Sequence, residues 1–219
     1  MHFEKRIPII KDLGFREDGL PALKDFIDLL WEANEHLNLV SRKMTFEELI
    51  DNHVIDCLLP LKHFPAGIKV AADFGSGGGL PGVIYAIHFQ QTRFRLYEKS
   101  RLKQDFLNQC KPMAPNLEVL GEIPKVLSPI EIIVSRAFKS LDVILDMTRD
   151  YYKKGGKYFL LKARREKIDE ELNAAQKQFK DLKFEIIRLN SPVLDVERHL
   201  VLVGSPGLPP DGLTLATTR

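Results

Sequence analysis

Ala71 to Gly82 reads AADFGSGGGLPG, an apolar run that closes on an acid and opens into five glycines and a proline. A backbone this bare suits close approach by a ligand, because a Cβ would block the contact or forbid the positive φ angles of a tight turn. Two chemistries fit the spacing. Gly77-x-Gly79-x-x-Gly82 matches the fingerprint that sets a dinucleotide pyrophosphate against a helix N-terminus. Gly75-x-Gly77-x-Gly79, with Ser76 inside it and Asp73 just ahead, matches equally well a loop for the amino-acid end of S-adenosyl-L-methionine. Glu98 lies 23 residues beyond Gly75, where a carboxylate can accept both ribose hydroxyls of the adenosine that the two ligands share. Asp73 separates the readings. An acid there repels a pyrophosphate but attracts or water-bridges an ammonium, so the residues favour the methyl donor over a nicotinamide dinucleotide.

Acceptor chemistry belongs after the fourth β-prone run, where the chain reads Val134-Ser135-Arg136-Ala137-Phe138. Methylation of an exocyclic amine calls for an Asn/Asp-Pro-Pro-aromatic motif, which is missing there. Cytosine C5 methylation calls for a thiolate nucleophile in a Pro-Cys pair, a context that neither Cys57 nor Cys110 has. A ring nitrogen such as guanine N7 already carries an in-plane lone pair and loses no proton, so its enzyme needs chiefly in-line positioning. Arg136 suits that task, since a guanidinium binds a guanine edge or a phosphate in a bidentate way. Lys162, ending the fifth run, would face the same crevice. Phe138 is an aromatic that either stacks on a base or, the plainer reading, packs in the core. His53 lies on an apolar helix face and reads as a hydrogen-bonded core histidine.

These residues need a scaffold that gathers strand ends at one edge. From Leu20 to near Asn38, apolar residues recur at helical spacing, and Thr45 with Glu48 forms a capping box that starts a second helix running toward Leu61. No strand precedes them, so residues 1–65 read as an N-terminal helical cap. Beyond Pro65, seven β-prone runs follow: Lys69 to Phe74, Arg93 to Glu98, Leu117 to Leu120, Ile130 to Ser135, Lys157 to Lys162, Phe184 to Leu189 and His199 to Val203. Amphipathic stretches at Pro81 to Gln90, Arg101 to Cys110, Ser140 to Lys153 and Arg165 to Phe179 are interspersed among the first six. Pro81 fits the first turn of its helix, where its missing N–H is unpaired anyway. Such alternation implies an α/β fold with a largely parallel sheet covered on both faces. Only about nine residues join the last two runs, too few for a helical crossover, so the seventh strand should run antiparallel. A doubly wound, Rossmann-like sheet with a reversed last strand is the usual core of class I methyltransferases. It is expected over residues 66–204, with a disordered Pro/Gly-rich tail at 205–219.

Composition sets the outer bounds. The 219 residues are 44% hydrophobic and 28% charged, as in an ordinary globular domain, and no apolar run reaches membrane-spanning length. The start, MHFEKRIPIIKDLG, lacks a long apolar stretch with a small-residue cleavage site, so a cytoplasmic protein is expected. Cys57 and Cys110 fit neither a disulfide framework nor a metal site and read as two reduced, partly buried thiols. The net charge of +2 announces no nucleic-acid partner alone, but it is unevenly spread. Arg93 to Lys111 holds six basic and two acidic residues, and Arg149 to Lys167 eight and two. Two basic clusters flanking one candidate ligand site favour a phosphate-rich partner.

Five blocks in order resemble the RsmG/GidB family of bacterial 16S rRNA methyltransferases over about residues 20 to 203: Leu37-Asn38-Leu39-Val40-Ser41, His53-Val54-Ile55-Asp56-Cys57, Asp73 to Gly82, Val134 to Phe138, and Glu197-Arg198-His199-Leu200. The resemblance implies S-adenosylmethionine-dependent methylation of guanine N7 in the 530 loop of 16S rRNA (the G527-type position). The substrate would be free 16S rRNA or the small ribosomal subunit, the enzyme a monomer, and neither metal nor membrane would be involved. By the same likeness Gly75 and Leu80 contact the cofactor, Arg136 serves cofactor and substrate, Arg198 faces RNA, and Asn38 and His53 lie near the cleft. After the third run the family carries an arginine that this chain lacks, reading Leu120-Gly121-Glu122-Ile123-Pro124, so adenine contacts fall to the backbone around Glu122 and Ile123. Two other readings predict different behaviour. A nicotinamide oxidoreductase would bind NADH and not S-adenosylhomocysteine; a non-catalytic RNA-binding relative would bind RNA without cofactor.

Overall fold

A computed structural model describes residues 2–204, so the expected disordered tail lies outside the described residues. Three longer helical segments precede the sheet, along with short 3-10 helices at Glu17–Gly19 and Leu61–His63. Helix α1 spans His2–Asp12 and α2 spans Leu20–Leu37, ending with Asn38 in the left-handed conformation. The third is composite: α3, Phe46–Leu49, passes through a π-helical turn, Ile50–Val54, into α4, Ile55–Leu58. Sequence spacing missed α1, whose interior Pro8 disguises the pattern, and it did not distinguish the π turn from ordinary helix. The capping box is formed as expected: Thr45 Oγ1 accepts the Glu48 N–H at 3.2 Å, and Glu48 accepts the Thr45 N–H at 2.7 Å. Thr45→Ala is expected to cost about 1 kcal/mol, read as a lower urea midpoint with unchanged donor binding.

Seven strands form one sheet: β1 Val70–Phe74, β2 Arg93–Tyr97, β3 Leu117–Leu120, β4 Ile132–Arg136, β5 Tyr158–Lys162, β6 Lys183–Leu189 and β7 Arg198–Gly204. Their order is β3-β2-β1-β4-β5-β7-β6. The first five are parallel, and β7 inserts antiparallel between β5 and β6. Helices α5 Gly82–His88, α6 Arg101–Gln109, α7 Leu141–Met147, α8 Arg149–Lys153 and α9 Arg165–Gln178 cover the sheet. The expected single helix from Ser140 to Lys153 is two. Thr148 separates α7 from α8, its hydroxyl bonding Ile144 O and Tyr158 Oη, each at 2.7 Å.

The strand order reverses between β1 and β4, and ligands bind at the carboxyl edge of such a switch point. Helical residues such as Leu30, Ile50 and Leu58 share one apolar cluster with Ala71, Val134 and Phe159 of the sheet. The boundary near residue 65 therefore separates elements and not cores. Cys57 and Cys110 are unpaired but wholly buried, rather than partly so, and burial pushes each thiol up to about 12. Both are unreactive thiols on that account. No helix among the described residues is long and apolar enough to cross a membrane.

Candidate active site

The glycine loop leaves β1 at the switch point and is held from beneath. Gly75 and Ser76 donate backbone N–H groups to Tyr97 O at 2.9 and 3.1 Å, tying the loop to the end of β2. Glu98 stands just past β2; its Oε2 accepts the Gly77 N–H at 3.0 Å and its Oε1 the Ser100 N–H at 2.8 Å. This carboxylate braces the loop while retaining further lone pairs for a ligand. Gly75 has φ +71, and a Cβ there would lie 2.2 Å from the Phe138 ring, so loop and ring pack together only because the side chain is missing.

Asp73 sits below the loop. It is 1% exposed, its Oδ2 accepts the Gly82 N–H at 3.2 Å, and burial pushes its carboxyl up to about 7. Its Oδ1 is buried without a partner. Pro81 is the N-cap of α5 and not a residue of its first turn.

Above the loop lies a cavity of about 630 Å³ lined by Gly75, Ser76, Gly77, Leu80, Glu98, Glu122 and Ile123 among others. Its size is that of a small-molecule or cofactor site. The expected cofactor residues Asp73 and Gly79 are outside its lining: Asp73 lies beneath, and Gly79 has φ +80 in the turn. A nucleoside with an amino-acid end fits what is present: the Glu98 carboxylate in the cavity wall, glycines where the chain must approach, and the Asp73 carboxyl beneath them as a source of negative charge.

The segment Arg136 to Lys139 is a wall shared with a second cavity, of about 500 Å³, lined also by Asp56, Lys162, Glu171, Arg198 and His199. Ala137 has φ +52, a conformation unfavourable for a residue with a Cβ, and it turns the chain so that Arg136 and Phe138 face the two cavities. Phe138 is half-buried, packing edge-on to Phe74 at 6.5 Å between centroids.

The structure gathers Arg136, His53 and Arg198 from three elements. Arg136 donates from Nη1 to Asp56 Oδ2 at 3.2 Å and from Nη2 to His53 Nδ1 at 3.0 Å, while its Nε is buried without a partner. Burial, followed by the Arg136 charge, pulls His53 down to about 4, so the ring is neutral and Nδ1 can accept. Arg198 donates to the other oxygen of Asp56 at 2.5 Å. Lys162 does not project freely: its Nζ donates to Glu171 Oε2 at 2.7 Å and to Lys139 O at 3.0 Å. Glu171 Oε2 also accepts the Leu141 N–H at 2.8 Å, so the pair anchors the far end of the Arg136 segment.

Asn38 is the exposed C-cap of α2 and lines neither cavity. Its neighbour Leu39 does line the first, held by Asn34 Oδ1, which accepts the Leu39 and Val40 N–H groups at 2.7 and 2.8 Å. Sequence reading therefore missed Asn34, Asp56 and Glu171. Asn34 and Asp56 carried one available signal, a polar side chain at a helical spacing that puts it on an apolar face.

Comparison with known proteins bears on the family and the fold. A family model described as GidB, rRNA small subunit methyltransferase G, matches residues 20–201. Ribosomal RNA small subunit methyltransferase G 1 of Bdellovibrio bacteriovorus is 68% identical over 202 residues, covering 92% of this chain and 98% of that one. Ribosomal RNA small subunit methyltransferase G of Brachyspira hyodysenteriae is 34% identical over 195 residues, covering 85% and 91%. Among solved structures, an O-methyltransferase from Bacillus cereus in complex with SAH superposes with a TM-score of 0.56 at 11% identity, over 83% of this chain and 91% of that one. A SAM-dependent methyltransferase from Aquifex aeolicus gives 0.54 at 9%, over 73% and 93%. At such identities these two likenesses concern the fold alone.

Proposed function

The chain belongs to the GidB family of small-subunit rRNA methyltransferases, and from that premise we infer that it methylates guanine N7 in the 530 loop of 16S rRNA. It is an rRNA methyltransferase that uses S-adenosylmethionine; the acceptor atom, its place in the RNA and the residue roles are our reading. The observation that carries the reading is Arg136, a largely covered guanidinium on the wall between two cavities, whose carboxylate and histidine partners are already engaged. Asp56 and Glu171 are both engaged in ion pairs, and His53 Nδ1 accepts from Arg136; His199, donating from Nδ1 to Ala163 O at 2.7 Å, is only 4% exposed. A site so arranged suits an acceptor that surrenders no proton.

Glu98 would hold the ribose hydroxyls and the glycine loop the amino-acid end, with the Asp73 carboxyl beneath the loop attracting the ammonium through it without touching it. Leu80, Glu122 and Ile123 would bound the adenosine. The bound donor supplies an electrophilic sulfonium methyl group. Transfer of that methyl group to N7 would leave its positive charge on the guanine ring. The attacking lone pair must stay free, so Arg136 would hold O6 or a phosphate and not N7 itself. Arg198 and Lys162 would complete the basic side of the acceptor cavity. The enzyme is taken to act as a cytoplasmic monomer on rRNA or the small subunit; transfer to an existing lone pair requires no metal.

A pH prediction follows from Asp73. Its carboxyl is protonated below about 7 in the free enzyme, while an ammonium partner favours the ionised form. Binding therefore releases a proton at low pH, and donor affinity should rise with pH up to about 7 and then level. Calorimetry in buffers of different ionisation enthalpy measures it; an affinity independent of pH in that range would remove Asp73 from the ammonium role. The acceptor atom is tested with RNA carrying 7-deazaguanosine at the target. No transfer is expected, whereas methylation of that RNA would defeat the N7 assignment.

A further inference from the structure

Asp56 carries no role in the reading above except as a partner, yet its placement is unusual. It stands on α4 directly after the π turn, its side chain only 12% exposed. One oxygen takes Arg136 from the end of β4, 80 residues away, and the other takes Arg198 from the start of β7, 142 residues away. Arg198 is oriented further by donating from Nη1 to Glu197 O at 2.9 Å. A single carboxylate thus joins the helical cap to both edges of the acceptor cavity, which it also lines. Without it, two guanidiniums would face each other uncompensated in a partly buried place and separate toward solvent.

We propose that Asp56 is a positioning residue for RNA methylation: its carboxylate fixes Arg136 and Arg198 at the spacing that seats the acceptor nucleotide. The proposal rests on the acceptor reading given above. It adds that the helical cap contributes to the geometry of the acceptor cavity. It also gives the positive charge arriving on guanine a nearby anion, so that two adjacent arginines do not oppose the transfer.

The test compares full-length native protein with Asp56→Asn in methyl transfer to small-subunit RNA, S-adenosylhomocysteine calorimetry and thermal melting. kcat/KM for RNA is expected to fall on the order of 10²-fold, while S-adenosylhomocysteine affinity changes less than about 2-fold, as for a site outside the donor cavity. Arg198→Gln added to Asp56→Asn should lower the rate little further, because the two act as one unit. Retention of native kcat/KM, or an equal loss in donor affinity, would overturn the proposal. Should Asp56→Asn not fold, Asp56→Glu decides. It keeps the charge but displaces both guanidiniums, so about a 10-fold loss of kcat/KM with native melting and donor affinity is expected, and no loss rejects the proposal. Methyl groups are counted whichever atom receives them, so an error in the N7 assignment leaves this ratio intact and shows only in nucleoside mapping.

Discussion

Gly75→Ala is expected to disable donor binding. The new Cβ would lie 2.2 Å from Phe138 Cδ2 and 2.8 Å from Cγ, and the backbone sits at φ +71. Relief requires the Phe138 ring to move or the loop to flatten, and either displaces the groups that bound the donor cavity. Strain of about 1–3 kcal/mol corresponds to roughly a 10- to 100-fold loss of S-adenosylhomocysteine affinity. Calorimetry reads it directly, and an affinity within a few-fold of native would mean that the Gly75–Phe138 contact does not shape the site. Because Phe138 also borders the acceptor cavity, RNA methylation at saturating donor should fall as well.

Arg136→Gln should be the more damaging change for turnover. It removes the group placed between the cavities, and it leaves the His53 acceptor without a donor and Asp56 with Arg198 alone. Loss of one such preorganised donor lowers kcat on the order of 10²–10³-fold, and disruption of a largely buried pair adds about 3–5 kcal/mol of destabilisation. Single-turnover transfer with enzyme in excess separates the two effects. Arg136→Lys should not restore activity, since an ammonium offers a point charge where the site holds a planar fork. A lysine variant with native single-turnover rate would show that charge alone suffices.

Much of this site is local in sequence, and that part was legible. Glycines, the acid ahead of them and the acid just past the next strand lie within one βαβ unit, whose periodicity and punctuation mark its elements. The reversal of β7 was legible for a similar reason, a connection too short for a helix. What escaped depends on contacts between distant segments. Asp56 meets Arg136 and Arg198 across 80 and 142 residues, and no spacing rule brings them together. Lys162 reads as a free cation beside a crevice until Glu171, on a helix that follows, is seen to hold it. The π turn at Ile50–Val54 preserves an apolar face and so hides behind a helical pattern, although it immediately precedes the turn that presents Asp56. Asp73 was expected at the ligand; its carboxylate proves to support α5 from below, with one oxygen left over.

Transfer of a methyl group to guanine N7 of small-subunit rRNA can be read out in one experiment. The most direct measurement incubates the purified protein with labelled S-adenosylmethionine and small subunits lacking the modification, then digests the RNA and maps the labelled nucleoside. A single N7-methylguanosine in the 530 loop is expected, lost with Arg136→Gln. Label on another atom or outside that loop, or undiminished transfer by the Arg136→Gln protein, would contradict it.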